Sequence, residues 1–310
     1  VTRSADRRPT ALLTCVGDLV EDIVVRRTGP STPDTDNPSS ITRGPGGSAA
    51  NVATLAAAEV PTRFIGRVGA DAVGRDLADR LRESGVDVQV QTGGRTGTVV
   101  VIVDEAAGRT MYPDRAAAAE LAAVPGDWVI DTGILHISAY ALQTPDSADT
   151  VCDLATAVRL GGGRVSLDAS SADLLVALGS TFTGLLDVLR PDLVFANEDE
   201  AALLPVAEVT GRGGCYVVKN GADPVFVHEP DGTVLEIPVP PVALVLDTTG
   251  AGDAFAAGFL TSVLQGSGHV AAAERGNHWA AASLGVAGAA RAVPPVDPAP
   301  ANRHPVHQYS

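Results

Sequence analysis

An α/β fold, with a mainly parallel central sheet and helices on both faces, is what this sequence predicts. Three observations carry that expectation. From Trp128 onward, strand-length apolar runs alternate with helix-length segments: Ile134 to Ser138, Ser147 to Leu160, Arg164 to Leu167, Thr181 to Leu189, Leu193 to Ala196, Glu198 to Leu204, then Cys215 to Lys219. Alternation of this kind implies crossover connections, and crossovers build parallel sheets. Glycine-rich turns stand between extended and helical segments at Gly46-Gly47, at Gly66 to Gly74 and at Gly250 to Gly252. Polar residues gather just after apolar strands: Asp168, Asn197 to Glu200, Lys219-Asn220-Gly221 and Asp247 to Asp253. Open α/β folds bind their ligands at those carboxyl ends of strands.

The elements follow in order. Ala11 to Val16 is apolar and ends at Gly17-Asp18, which reads as a central strand. Leu19 to Val25 is extended and carries Glu21 and Asp22, and residues 28 to 40 are rich in Pro, Ser, Thr, Asp and Asn, as exposed loops are. The glycines after Arg43 end an extended piece, and Ser48 to Ala58 is a helix with Asn51 one turn inside it. Alanine-rich surroundings put Asn51 on a buried face, where an amide needs a partner. Thr62 to Val68 is a strand and Arg75 to Ser84 a helix. Thr96 to Val103 and Arg109 to Tyr112 read as a hairpin. With residues 19 to 45 it can form a small second sheet. After Lys219 the chain is hairpin material to Val239, and Val242 to Leu246 reads as a short buried strand.

Composition excludes several function classes. The net charge is −15, which argues against nucleic acid and against anionic membrane surfaces. No apolar run is long enough to span a bilayer. The polar segment 1–10 reads as a flexible tail without a signal core, and Pro294 to Pro300 open an irregular tail over 296–310. Cys15, Cys152 and Cys215 are far apart and embedded in apolar segments, so they read as buried thiols of a reducing, cytoplasmic protein with no metal spacing among them. His136 falls in an apolar strand and reads as core. His228, His269 and His278 have no obvious acidic or serine partner, and His304 and His307 are a stray pair in the tail. Gly-x-Ser-x-Gly and the phosphate loop ending in Gly-Lys-Ser/Thr are both missing, and the dinucleotide fingerprint is not met.

The chemistry concentrates in Asp247-Thr248-Thr249-Gly250-Ala251-Gly252-Asp253-Ala254-Phe255. A helix that is apolar nearly all round follows it, so it is buried. The glycine turn lets backbone approach a ligand, and the first N–H groups of the helix make an anion site. Asp253 stands in that same turn. It reads either as a helix cap or as a proton acceptor for a hydroxyl attacking a bound phosphate. Asn197-Glu198-Asp199-Glu200 likewise has two readings: oxygens that hold hydrated Mg²⁺, or an acidic first turn favoured by the helix dipole.

Taken together, these motifs resemble the PfkB, or ribokinase-like, carbohydrate kinases along roughly residues 11–295. Gly46-Gly47-Ser48-Ala49-Ala50-Asn51 through Gly66 to Gly74 looks like the family's first signature, and Asp247 to Phe255 is similar to the second. Asn197 to Glu200 looks like its Asn-x-x-Glu motif. The resemblance implies a three-layer α/β/α sandwich with a small β-sheet lid, built from segments of about 19–45 and 95–113. It implies transfer of the γ-phosphoryl group of ATP to a hydroxyl, usually a terminal CH₂OH, of a sugar or sugar derivative. Carried over by motif, Asp253 is the base and Gly250, Ala251 and Gly252 form the anion hole. Asp22, Gly46, Gly47 and Asn51 bind the acceptor. Lys219, Asn220, Gly221 and Thr248 approach the nucleotide, and Asn197 and Glu200 organise Mg²⁺. A homodimer paired through the lid is implied as well.

Departures from the pattern bear on the substrate. Val20 stands where ribokinase has an asparagine, Ser48 where it has a lysine, and the glutamate expected near Ser138-Ala139-Tyr140 is missing. In the stretch Gly285 to Val293 the run Ala289-Ala290-Arg291-Ala292 departs from the family's pattern, which weighs against K⁺ activation. Arg109 to Arg115 resembles the substrate-facing stretch of the family's sugar-acid and hexose kinases, with Arg115 either beside a charged substrate or on the surface. Two rivals to a sugar kinase stand: a nucleoside kinase on the same scaffold, and a non-catalytic sugar- or nucleotide-binding relative. Scarcity of aromatics favours a sugar over a nucleobase.

Overall fold

The computed structural model describes residues 12–104, 108–245 and 247–285. The expected tails at 1–10 and 296–310, the stretch 286–293 that bears on K⁺, and His304 and His307 lie outside the described residues. The first half of the chain runs β1 (Leu12–Val16), β2 (Val20–Arg27), β3 (Ser39–Gly46), α1 (Ser48–Ala56), β4 (Thr62–Val68), α2 (Ala72–Glu83), β5 (Asp87–Thr92), β6 (Thr98–Val103) and β7 (Arg109–Asp114). The middle runs β8 (Thr132–Ser138), α3 (Pro145–Leu160), β9 (Arg164–Asp168), α4 (Ala172–Leu178), α5 (Ser180–Leu189), β10 (Leu193–Asn197), α6 (Glu198–Leu203) and α7 (Val206–Thr210). Last come β11 (Cys215–Asn220), β12 (Asp223–His228), β13 (Val234–Ile237), α8 (Ala251–Leu264) and α9 (His269–Leu284).

Nine strands form one sheet in the order β13-β12-β11-β10-β9-β8-β1-β4-β5. Neighbours are parallel except at β11/β12 and β12/β13. Strand β10 shows why the central runs read as continuously apolar. Phe195 faces one side, towards α8, while Val194 and Ala196 face the other. Both faces are buried, so no polar alternation survives. Phe195 meets the Phe259 ring of α8 edge-on at 5.2 Å. On the opposite face Ile137, Leu167 and Tyr216 pack under α3 to α7. Each such fully buried side chain contributes about 1.5–3 kcal/mol relative to exposure. His136 is wholly buried, 3.1 Å from the Ser166 hydroxyl, and burial pushes its pKa down to about 4. It is a core histidine, as its strand suggested.

A second sheet, in the order β3-β2-β6-β7, stands apart from the first. The hairpin expected from residues 96–112 is there, as β6 and β7 in antiparallel register. Val99, Val101 and Val103 face inward with Val20.

Several elements depart from the sequence reading, and helices α7 and α9 were not read in it. Strand β5 went unread, although Val86, Val88 and Val90 alternate through it. Helix α4 was also missed; Ser171 caps it through the Leu174 N–H at 3.4 Å. Helix α2 begins at Ala72 rather than Arg75 because the Asp71 carboxylate accepts the Gly74 N–H at 2.8 Å and caps it there. Of the strand expected at 242–246, the described residues 242–245 form none. Leu244 and Val245 are more than half exposed, and Val242 and Val245 line the cleft described below. Pro240 and Pro241 precede them without N–H donors for a ladder, so this apolar stretch forms cleft wall instead. Cys15 and Cys215 are buried as expected, whereas Cys152 is half-buried. Among the described residues no single helix is long and apolar enough to cross a membrane.

Candidate active site

A cleft of about 1110 Å³ opens at the carboxyl ends of β1, β9, β10 and β11, beneath the small sheet. The predicted residues meet there although they span more than 200 positions of the chain. Asp22, Gly47, Asn51, Asn197, Glu200, Lys219 to Gly221 and Thr248 to Asp253 all line it. Gly46 does not. It lies behind Asp22, where any side chain would collide with the Asp22 carboxyl group.

Asp253 is the centre. It falls in the first turn of α8, after Gly250, which takes the left-handed φ of 77° that ends the preceding turn. Its carboxylate accepts hydrogen bonds from the Ser48 hydroxyl at 2.8 Å and from the Asn51 amide at 2.7 Å. Both donors come from the first turn of α1, so two helices meet head to head over one carboxylate. Loss of hydration raises the Asp253 pKa to about 7, and the Asp168 charge adds to that rise. The bonds from Asn51 and Ser48 and the Lys219 ammonium oppose it. The hydrogen bonds of this carboxylate run to α1 rather than to the start of its own helix. In the turn itself, the Ala251 N–H is already directed at the Thr248 carbonyl at 3.3 Å. An anion bound at this turn would therefore rest chiefly on the N–H groups of Gly252 and Asp253.

Lys219 stands beside that turn. Its Nζ is 3.0 Å from Asp168 Oδ2, and a methyl carbon on Gly252 would be 3.3 Å from it. Burial works against the Lys219 charge, but Asp168 and Glu200 outweigh it and hold the pKa above the ordinary lysine value. Asn197 and Glu200 form a capping box on α6. Asn197 Oδ1 accepts the Glu200 N–H at 2.9 Å, and Glu200 accepts from the Asn197 backbone and side-chain N–H groups at 2.8 and 2.9 Å. The acidic-turn reading is therefore true of the pair's geometry. Burial and the Asp168 charge still raise the Glu200 pKa. Asp168, Glu200 and Asp253 thus place three carboxylates around one ammonium. That excess of oxygen ligands and negative charge fits a hydrated Mg²⁺, and the spare lone pairs of Glu200 suit a water ligand.

The other end of the cleft holds Arg115, which the sequence left between a substrate contact and the surface, and Asp18, which no motif singled out. Asp18, after β1, pairs with Arg115, whose guanidinium lies 3.3 Å from the centre of the Tyr140 ring. Asp18 Oδ1 has no hydrogen-bond partner among the described residues. Burial and the Asp18 charge raise Asp22 to about 6 against the pull of Arg115. Arg115 is thus at the site rather than on the surface, and its charge is already matched. Removing it would strand a buried carboxylate. Arg115→Ala should cost about 3–5 kcal/mol in urea unfolding; a loss below about 1 kcal/mol would show that Asp18 is not held as an ion here. The small sheet is also tied to the glycine turn, because Arg109 donates to Asp247 Oδ1 at 2.8 Å and that same oxygen accepts from Thr249. Asp18 and Arg115 are separated by almost a hundred residues, and no local pattern announces the pair.

A carboxylate held at a helix start, with a lysine and further carboxylates beside it, is an arrangement that phosphoryl transfer can use. The chain belongs to the pfkB family of carbohydrate kinases, whose model matches residues 10–295. It is 30% identical to a fructokinase of Salmonella typhimurium, over 80% of this chain and 83% of that protein. It is 32% identical to an ATP-dependent ribose-1-phosphate kinase of Halopiger xanaduensis, over 86% of this chain and 89% of that one. The fold superposes on adenosine kinase from Sinorhizobium meliloti with a TM-score of 0.81 at 22% identity, covering 92% of this chain and 96% of that one. The nine-stranded sheet with helices on both faces and the smaller sheet are thus the ribokinase-like fold.

Proposed function

We propose that the chain transfers the γ-phosphoryl group of ATP to a hydroxyl of a sugar or sugar derivative, with Asp253 as the base. The observation that carries this is the Asp253 carboxylate, fixed by Ser48 and Asn51 at the mouth of the anion turn. The acceptor hydroxyl gives its proton to Asp253 as its oxygen attacks the terminal phosphorus. N–H groups of the Gly252 turn and the Lys219 ammonium stabilise the charge on the transferring group. Asp22, Gly47 and Asn51 orient the acceptor, with Gly46 clearing room for Asp22. Val239, Pro240, Val242, Val245, Ala281 and Leu284 supply an apolar wall for the purine beside Thr248, Asn220 and Gly221. The kinase domain spans 11–295, and the small sheet is a lid that excludes water.

A sugar is preferred to a nucleoside as acceptor. Tyr140 and Phe255 are the aromatic residues lining the cleft, and Arg115 already covers the Tyr140 ring. The test is an ADP-release assay with Mg²⁺ and ATP against pentoses, hexoses, sugar acids, sugar phosphates and nucleosides, with and without K⁺. One sugar turned over well above the rest supports the reading. A nucleoside on top transfers the assignment to the rival class, and no turnover alongside ATP-dependent stabilisation points to a sensor.

Mg²⁺ would be held through water by Glu200 and Asn197 near Asp168, and it supplies charge neutralisation to the triphosphate. Glu200→Gln should raise the Mg²⁺ concentration needed for half-maximal rate by about 10-fold or more. An unchanged Mg²⁺ titration would remove Glu200 from that role.

A homodimer through the lid is supported by its outer face. Val100 and Ile102 alternate with the inward valines of β6, and their register partners are Ile23, Val25 and Tyr112, with Ile41 beyond Val25. Ile41 is 61% and Tyr112 58% exposed. Three cysteines without a disulfide suit the cytoplasm.

A further inference from the structure

Three metal-ligating side chains meet at the end of β11 opposite Lys219. Cys215 opens β11, Glu229 follows β12, and His269 is the first residue of α9. The Cys215 sulfur, a Glu229 oxygen and a His269 nitrogen lie within 4.8 Å of one another. His269 Nδ1 and Glu229 Oε1 are 2.6 Å apart. The sequence had offered His269 no acidic partner; one arrives from 40 residues away.

Packing fixes the meeting point. Tyr216 pairs with His228 across β11 and β12, so Cys215 and Glu229 are the next opposed pair. Cys215 shares the core face of Val217 and Val227, which α9 covers through Ala272 and Ala273. The Phe259 ring stacks on His269 at 5.8 Å. None of the three lines the catalytic cleft.

We propose that Cys215, Glu229 and His269 form a binding site for a borderline-soft divalent ion, Zn²⁺ by preference, with water as the fourth ligand. Thiolate and imidazole select against Mg²⁺ and Ca²⁺. On binding, the Cys215 S–H bond gives way to a sulfur–metal bond made with the sulfur's electron pair, and the proton leaves to solvent. Thiolate and Glu229 carboxylate then cancel the two charges of the ion, with His269 neutral, so the set carries no net charge into its half-buried position. Glu229 and His269 side chains are 22% and 25% exposed, which leaves an open side for entry and for the water. A thiol must give up its proton to bind the ion, so proton and metal compete and uptake weakens as pH falls. The ion ties β11, β12 and α9 together at a distance from the chemistry.

The test is a Co²⁺ titration of the chelator-treated full chain, with excess Mg²⁺ to fill oxygen-only sites. The expected result is one Co²⁺ per chain, a thiolate-to-cobalt charge-transfer band in the near ultraviolet and one proton released per ion. Cys215→Ser should abolish the band, and it and His269→Gln should each weaken Co²⁺ binding by more than about 10-fold. Zn²⁺ should raise the melting temperature of the unaltered chain and not that of His269→Gln. A wild-type chain that takes up Co²⁺ without the band, or takes up none, overturns the proposal. So does an undiminished band in Cys215→Ser. Either leaves a closed hydrogen-bonded set in which the thiol donates to Glu229.

Discussion

Asp253→Asn is expected to cut turnover by about 10²–10⁴-fold while ATP still binds. The replacement is close to isosteric, so the turn at Gly250 and the start of α8 remain. What disappears is a group able to take the acceptor's proton. The pH dependence makes the test specific. With its pKa near 7, Asp253 loses its basic form as pH falls through that value, so kcat/KM of the unaltered chain should fall on the acid side of pH 7. In the variant that limb should vanish. Stability should move the other way. The folded pKa lies above the ordinary 3.8, so the folded state holds this proton more tightly than the unfolded chain does. The stabilisation from Asp253 is complete below about pH 4 and is lost as pH rises through 7. At pH 8 the unaltered chain therefore keeps a poorly hydrated carboxylate that the amide avoids. Asp253→Asn should melt higher than the unaltered chain at pH 8, with the difference closing towards pH 4. Near-normal turnover would remove Asp253 from the role of base, and a lower melting point at pH 8 would show that Ser48 and Asn51 more than offset its lost hydration.

Why Asp253 and Asn51 were legible, and the bond between them and the part of Ser48 were not, follows from where the information lies. The glycine turn and the carboxylate are contiguous, and a strand-to-helix turn has few ways to be built. Ser48 reads in sequence only as a departure from a lysine. Its hydrogen bond to Asp253 spans 205 positions and exists only once α1 and α8 meet. Asp168 with Lys219, Asp18 with Arg115 and Glu229 with His269 have the same character: each pair is made by strand order. Periodicity found the parallel sheet because burial on both faces leaves an apolar run in every central strand. The same signal failed at 242–246, where apolar side chains line a cleft. Hydrophobicity reports removal from water and does not distinguish a sheet neighbour from a ligand. Gly46 shows the converse. Its motif position was recognised, but its contribution is space for Asp22 rather than a contact of its own.

Lys219→Met should reduce turnover by about 10²–10³-fold, the scale of losing one preorganised charge at a transferring group. Its ammonium stands between Asp168 and the Gly252 turn, so it faces the place where negative charge develops. Methionine keeps the length and apolar body that pack towards the Phe195 ring, 5.9 Å from Nζ. The consequences differ in kind from those at Asp253. Lys219 lowers the Asp253 pKa, so without it the acid limb of kcat/KM should move to higher pH rather than disappear. Asp168 is left without its cation at a position where its side chain is 8% exposed, which should destabilise the fold by about 3–5 kcal/mol. Adding Asp168→Asn to the variant should restore much of that stability and little of the rate, because the buried charge is relieved while the missing cation is not replaced. Urea unfolding and a pH–rate profile of the single and double variants separate the two effects. A single variant with normal turnover would leave Lys219 as a partner for Asp168 only. A limb that moved to lower pH would contradict the arrangement of charges around Asp253 on which the catalytic assignment depends.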